Sequence, residues 1–510
     1  MLLSALVLVP ILAGLAVLFI PNDKITRIVS LVLSLGHFAI SLGLLLKFNK
    51  STVNYQFAES YEWIPFFGTK LSLGVDGISL WLVILTSFFI PIVILASWSA
   101  IESRVRFFHS QLFFLLSAMT GTFLALDAVL FYVFFEASLV PMYFLIGIWG
   151  GARKLYATMK FFLYTMLGSV LMLASIIYLM LLCQDQLGHM SSSLIDFYRL
   201  KIPFVGGELL NPQTLMFFAF ATAFAIKVPL FPLHTWLPDA HVEAPTPGSV
   251  ILAAIMLKMG TYGFLRFVLP LFPEATQYWA WLLMFLGVAG IIYGALTAMV
   301  QPDVKKLVAY SSVSHMGYIV AGIFALNVNG IVGATYQMLN HGISTGALFL
   351  LVGMIYERTH SREISRYGGL ASVMPHFTVA FFIVTLSSIA VPGTNGFVGE
   401  FLILLGVFTS RPVYGVVAVL GVILGAVYML WMFKRIFLGP KGELVKDEEH
   451  PLKDINLREW TVLSPLIVLI FWMGVFPNHF LDYSKSSLEH LSNNLHNYHI
   501  EMGTEDGGGK

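Results

Sequence analysis

Apolar runs of about twenty residues, parted by short polar breaks, recur along the whole chain; each is long enough to cross a bilayer as an α-helix. The pattern predicts fourteen helices, near 2–20, 27–47, 77–98, 110–127, 129–149, 157–182, 212–231, 244–270, 278–300, 306–326, 330–356, 373–408, 412–438 and 459–478. Two of these runs are interrupted. The seventh reads AFAIKVPLFPLHTWLPDAH, with Pro229, Pro232 and Pro238 closely spaced; the twelfth reads LSSIAVPGTNGFVGEFLIL, with Pro392, Gly393 and Gly396 at its middle. Proline removes a backbone donor and clashes with the preceding turn, so both helices should open there. Opened backbone is tolerated at membrane depth only where protein or water satisfies it, so each break is expected to line a hydrated cavity. The breaks lie five helices apart. Spans four to eight (110–270) and nine to thirteen (277–438) therefore form two candidate five-helix units of opposite orientation, with helices one to three (1–109) before them and a loop, helix fourteen and a polar tail (439–510) after.

Composition agrees with an all-α polytopic membrane protein: 57% of the 510 residues are hydrophobic and only 11% charged, against about 25% charged in a soluble domain. The net charge of +1 points to no nucleic acid. A single cysteine, Cys183, excludes an internal disulfide and a thiolate-held iron–sulfur or zinc site. The first run lacks a basic leader and a small-residue cleavage site and is expected to be a retained helix. With the N-terminus outward, the odd-numbered loops hold eighteen Lys or Arg and the even-numbered loops with the tail hold nine. That two-to-one bias predicts both termini on the outer face. The stretch from Ser484 to Lys510 is expected to be a frayed tail.

Four charges break the apolar pattern: Glu136, Lys227, Lys258 and Glu400, on the fifth, seventh, eighth and twelfth spans. A charge at membrane depth costs about 2.5–3.5 kcal/mol or more, so each is a functional candidate. Glu136 has Lys227 as its natural partner; such a pair either locks helix packing or, if it can loosen, gates a proton. Lys258 has no acid nearby in sequence and is a candidate proton carrier, with snorkelling to the interface as the alternative. His315 and His341, inside the tenth and eleventh spans, are candidate relays, although a lone buried histidine is more often simply a hydrogen-bonded core residue. Ser311, Ser312, Ser314, Asn340, Ser344 and Thr345 around them could hold water. His234 and His241 flank the loop after the seventh-helix break, on a possible inlet route. Lys305 and Lys306 read as topology signals, Asp127 as a helix cap, and Arg358, Glu363 and Arg366 as a solvated loop.

The blocks FFEASLVPMYFLIGIWGG, KFFLYTMLGSVLML, AFAIKVPLFPLHTWLPDAHVEAPTPGSVILAAIMLKMGTYG, DVKKLVAYSSVSHMGY and VPGTNGFVGEF, spread over about 70–440, resemble the antiporter-like subunit M family of bacterial respiratory complex I. Its mitochondrial counterpart is chain 4 of NADH:ubiquinone oxidoreductase. In related antiporter-like subunits the twelfth-helix position is usually lysine; Glu400 here is as in subunit M. The resemblance implies fourteen helices with two inverted five-helix repeats, and one proton moved per catalytic cycle. It implies Glu136 and Lys227 as the coupling pair, Lys258 as the central carrier, His315 and His341 as the relay and Glu400 as the exit. It implies a multi-pass protein of the bacterial inner membrane, with neighbouring antiporter-like subunits and lipids as partners. No dinucleotide fingerprint or cluster ligand set stands in the sequence, so flavin, iron–sulfur clusters and quinone are expected in partner subunits. The competing readings are a subunit of a cation/proton antiporter or membrane-bound hydrogenase, a small-solute transporter, which would need a selective polar pocket, and a scaffold, which would not explain four buried charges.

Overall fold

The computed structural model describes residues 1–446 and 451–505. Along the chain run α1 (Leu2–Leu18), α2 (Asp23–Lys47), α3 (Leu80–Ala96), α4 (Val105–Leu124), α5 (Ala128–Trp149), α6 (Lys154–Leu187) and α7, split into Pro212–Lys227 and Trp236–Glu243. There follow α8 (Thr246–Leu271), α9 (Pro273–Met299), α10 (Val304–Ile323), α11 (Val328–Thr359) and α12, split into Pro375–Ser388 and Asn395–Ser410, then α13 (Pro412–Phe437), α14 (Leu457–Val475) and α15 (Asn478–Glu505). Among the described residues nine helices are long and apolar enough to cross a membrane, with four shorter apolar helices beside them. The most apolar windows of α8 and α11 are 100% buried, against 33% for α13. Two long helices are thus hidden at the centre, and both carry ionisable side chains.

Three features depart from the expected pattern. Between α2 and α3 the chain forms an antiparallel hairpin, β1 (Gln56–Ile64) and β2 (Thr69–Val75), with Ser60 opposite Ser72. These segments are too short and too polar to span a bilayer. The hairpin does helix-end work instead: Glu59 accepts from the backbone N–H of Leu3 (2.9 Å) and Ser4 (3.2 Å), supplying acceptors to amides that α1 leaves unpaired. The tail expected to fray from Ser484 is, as far as Glu505, helix α15, whose Phe480, Leu488, Leu491 and Leu495 are buried; its last stretch, 506–510, lies outside the described residues. It is fastened by Trp81 Nε1 donating to the Phe480 carbonyl (3.0 Å) and the Gly77 N–H donating to Ser487 (3.1 Å). The repeat of apolar residues at three- and four-residue intervals is that of an amphipathic helix.

The cluster expected to be solvated divides. Arg366 pairs with Glu443 in solvent, whereas Arg358 makes a bidentate pair with Glu459 at 2.8 and 2.7 Å, with Glu459 buried. Asp127 caps α5 through Val129 and Leu130 (2.9 and 3.0 Å) as expected, and it also accepts from Lys70 N–H and Ser192 Oγ, tying β2 to the bundle. Burial raises the Asp127 carboxyl above the usual aspartate range despite those hydrogen bonds.

Candidate functional site

The centre of the molecule is Lys258, fully buried in α8. Its helical stretch Leu257–Gly263 lies between two π-helical turns, Leu252–Met256 and Phe264–Val268. Such turns widen the coil and are frequent at functional positions. The Lys258 ammonium donates to the Ala253 carbonyl at 2.6 Å and meets His341 Nδ1 at 2.6 Å, so it does not snorkel. The two helices can approach closely because α11 carries Gly342, where a Cβ would stand 3.0 Å from the Ala254 carbonyl oxygen and 2.9 Å from Leu85.

From Lys258 the line continues through both histidines in a definite order. The His341 and His315 rings lie 5.8 Å apart, and His315 Nδ1 is 3.1 Å from Glu400 Oε1. Gln337, one turn before His341, donates its amide to the same Glu400 oxygen (3.1 Å) and accepts from Asn340 (3.0 Å). His315 Nε2, His341 Nε2 and Asn340 Oδ1 are buried without a protein hydrogen-bond partner. All three residues line one small cavity of ≈ 10 Å³, bounded also by Ser344, Ser387 and Gly396, which is about the room needed for a single water. The break in α12 forms its far wall. Gly393 there has φ +92°, a left-handed backbone that favours glycine. Asn395 then ties the break to α11 by accepting from Ser387 (2.6 Å) and donating to Ser344 (3.2 Å) and the Asn340 carbonyl (3.3 Å).

Glu136 and Lys227 stand nearer the flank and are not joined by a direct ion pair. The Lys227 ammonium, 1% exposed, reaches Ser138 Oγ at 3.3 Å and lies 4.7 Å from the Phe135 ring centre. Glu136 Oε1 is buried with no hydrogen-bond partner. The two residues expected as a coupling pair are thus apart in this structure, and the serine that meets Lys227 donates to the Phe135 carbonyl (2.7 Å) rather than reaching Glu136. Lys227 closes the first half of α7; the Ile226 carbonyl freed by the break accepts from Trp236 Nε1 of the second half at 2.8 Å.

The remaining candidates gather around the second half of α7. His234 packs on Phe231 and Tyr293. His241, fully buried, stacks on Phe349 at 4.5 Å with both ring nitrogens unpartnered. Lys305, read from sequence as a surface topology signal, is buried and donates to the Ala244 carbonyl at 2.6 Å. The end of α7 supplies that acceptor, and Asp303 beside Lys305 is taken by Arg362 (3.2 Å).

The structure therefore brings together Lys258, His341, His315 and Glu400, keeps Glu136 and Lys227 as a second group, and leaves His234, His241 and Lys305 around α7. Sequence reasoning missed Gln337, Asn395 and Lys305. Gln337 had one available signal, its position four residues before His341 on the same helical face. Among the described residues no group of three metal-ligating side chains is arranged to hold an ion. Alternating bases and acids in a dry interior can exchange protons, and the cavity offers space for a bridging water.

Comparison with known proteins follows this geometry. Residues 125–425 match the family described as NADH:quinone oxidoreductase/Mrp antiporter, transmembrane. The chain is 46% identical to NADH-quinone oxidoreductase subunit M of Rhodobacter capsulatus over 94% of its length and 93% of that relative. It is 45% identical to NADH-ubiquinone oxidoreductase chain 4 of Arabidopsis thaliana, covering 96% of each. A chain in the structure of respiratory complex I from Thermus thermophilus with bound NADH superposes with a TM-score of 0.87 at 32% identity, over 97% of this chain and 100% of that one.

Proposed function

We propose a proton route on one premise: the chain belongs to the NADH:quinone oxidoreductase/Mrp antiporter family, in its subunit M or chain 4 branch. It is a multi-pass, proton-pumping membrane-arm subunit of NADH-quinone oxidoreductase. Within it, Lys258 is the proton store, His341 and His315 are the relay and Glu400 is the terminal acceptor. The observation that carries this reading is the order of contacts, 2.6 Å from Lys258 to His341 and 3.1 Å from His315 to Glu400, with a water-sized polar cavity touching both rings.

The proton balance runs as a hand-over. The Lys258 ammonium gives a proton to His341 Nδ1 while His341 Nε2 releases its own to a water in the cavity. That water protonates His315 Nε2, and His315 Nδ1–H passes its proton to the Glu400 carboxylate. Gln337 holds Glu400 in place for this step. Each imidazole is left in the opposite tautomer and resets by turning its ring. Glu136 and Lys227 set the trigger: when they close, the charge of Lys227 is neutralised locally, and Lys258 then retains its proton more readily. His241, which lies in electrostatic reach of both Lys258 and Lys305, suits an inlet to Lys258; His234 lies further along the same side.

The same reading takes the helices as fourteen crossings, with 110–270 and 277–438 as inverted repeats that put the two breaks in corresponding positions. It sets both termini on the outer face of the bacterial inner membrane. Flavin, iron–sulfur and quinone chemistry belongs to partner subunits, and the neighbouring antiporter-like subunits flank this one.

The test is proton pumping by the purified complex in proteoliposomes, with NADH:ferricyanide activity reporting intact assembly. Lys258→Met should abolish most quinone-coupled pumping and leave ferricyanide reduction unchanged. Glu400→Gln should impair pumping with the same control. Normal pumping by either fully assembled variant would sink the route.

A further inference from the structure

On one flank α2 and α14 stand apart, and between them runs an apolar groove of ≈ 470 Å³. Leu42 of α2 and Val468 of α14 form its walls; Phe88 of α3 and Leu339 and Ile343 of α11 form its floor. Phe38 and Leu45 on its wall are seven residues apart, about 10 Å of helix. The side chains lining it are apolar or aromatic throughout, so hydrocarbon chains fit it.

Its mouth is polar and cationic. The Trp81 and Trp472 indoles line it, with Trp81 Nε1 donating to the Phe480 carbonyl (3.0 Å) and Trp472 Nε1 to His479 Nδ1 (3.0 Å). Tryptophans at this level mark the boundary between hydrocarbon and headgroups. The Tyr483 ring packs 5.3 Å from Trp81 and carries the Lys50 ammonium 4.0 Å above its centre. Lys50 thus brings a positive charge to the mouth, while Lys485, two residues beyond Tyr483, is matched by Glu489 at 3.9 Å. We propose that this groove is a specific site for an anionic phospholipid, its acyl chains between α2 and α14 and its headgroup at Lys50. The chains would rest on the back of α11, where Leu339 and Ile343 each lie two residues from His341. The site stands independently of the proton route.

The test places a benzophenone-bearing amino acid at Val468 (60% exposed) or, as a control, at Val416 on α13 (58% exposed) in the assembled complex. The complex is extracted from membranes, supplied with equal phosphatidylglycerol and phosphatidylcholine, washed in detergent and irradiated. Val468 should yield a phosphatidylglycerol adduct on this subunit and Val416 should not. Lys50→Gln should lower the phosphatidylglycerol preference about fivefold, equivalent to about 1 kcal/mol for one near-surface lysine. Leu42→Trp, which fills the groove from its lipid side, should remove the adduct while ferricyanide activity persists. An adduct to another polypeptide, equal adducts at the two positions or none at Val468 would overturn the site. Indifference to Lys50→Gln would overturn its preference for an anionic headgroup.

Discussion

The two interrupted helices use one backbone device in opposite surroundings. In α7 the break is lined largely by aromatic groups: the freed Ile226 carbonyl is covered by the Trp236 indole, and Lys227 beside it faces Ser138 and the Phe135 ring. In α12 the break is polar: Ser387, Asn395 and Ser344 form a hydrogen-bonded strip beside a cavity that also touches both histidines. A charge with few partners in low dielectric responds strongly to any neighbour that moves. A charge among hydroxyls, amides and water passes protons with little rearrangement. On the proposed route, this contrast places control at the α7 end and conduction at the α12 end.

The comparison can be broken by substitutions ranked by effect. Glu136→Gln or Lys227→Ala removes the controlling charge and should abolish most pumping in proteoliposomes at full assembly; normal pumping would mean that the α7 break controls nothing. Asn395→Leu should strip the polar strip of its central member. Pumping is expected to fall about tenfold, equivalent to a barrier increase of about 1.4 kcal/mol, with ferricyanide activity intact. If pumping does not fall, the α12 break does not conduct. Trp236→Phe leaves the Ile226 carbonyl unpartnered and should destabilise the subunit by about 1–3 kcal/mol, read as a lower thermal midpoint of the complex, with pumping reduced less than by Asn395→Leu. Ser138→Ala deletes only the hydroxyl near Lys227. Its cost should stay near or below about 1 kcal/mol, and the pH profile of pumping should shift without loss of maximal rate. A collapse of the rate there would make Ser138 a conductor and erase the contrast.

Much of this was legible in the chain because the signals were violations of a strong background. Four charges in apolar runs and two proline-broken spans need no neighbours to be noticed. The order within the line was not legible. His341 precedes His315 because α8 touches α11 and α10 faces α12, a matter of packing that spacing along one chain does not encode. Gln337 was overlooked because an uncharged amide in a span breaks no rule. Lys305 was misread because a lysine after Asp303 at a helix start looks like any loop charge; what buries it is the end of α7, more than sixty residues earlier. The hairpin and α15 escaped because both are too polar to stand out in a search for membrane spans. The π turns around Lys258 leave no mark in hydrophobic periodicity when every position in them but Arg266 is apolar.

The glycine seam at Gly342 bears on time as well as space. Since the missing side chain at Gly342 lets α8 and α11 approach closely there, a helix slide that separates Lys258 from His341 must also open this joint. On the proposed route, hand-over at this joint is then left to side-chain rotation rather than to collective helix motion, which takes microseconds to milliseconds. On that proposal the joint stays closed through the hand-over, and the pace of the pump is set elsewhere, at the loosely held pair of Glu136 and Lys227.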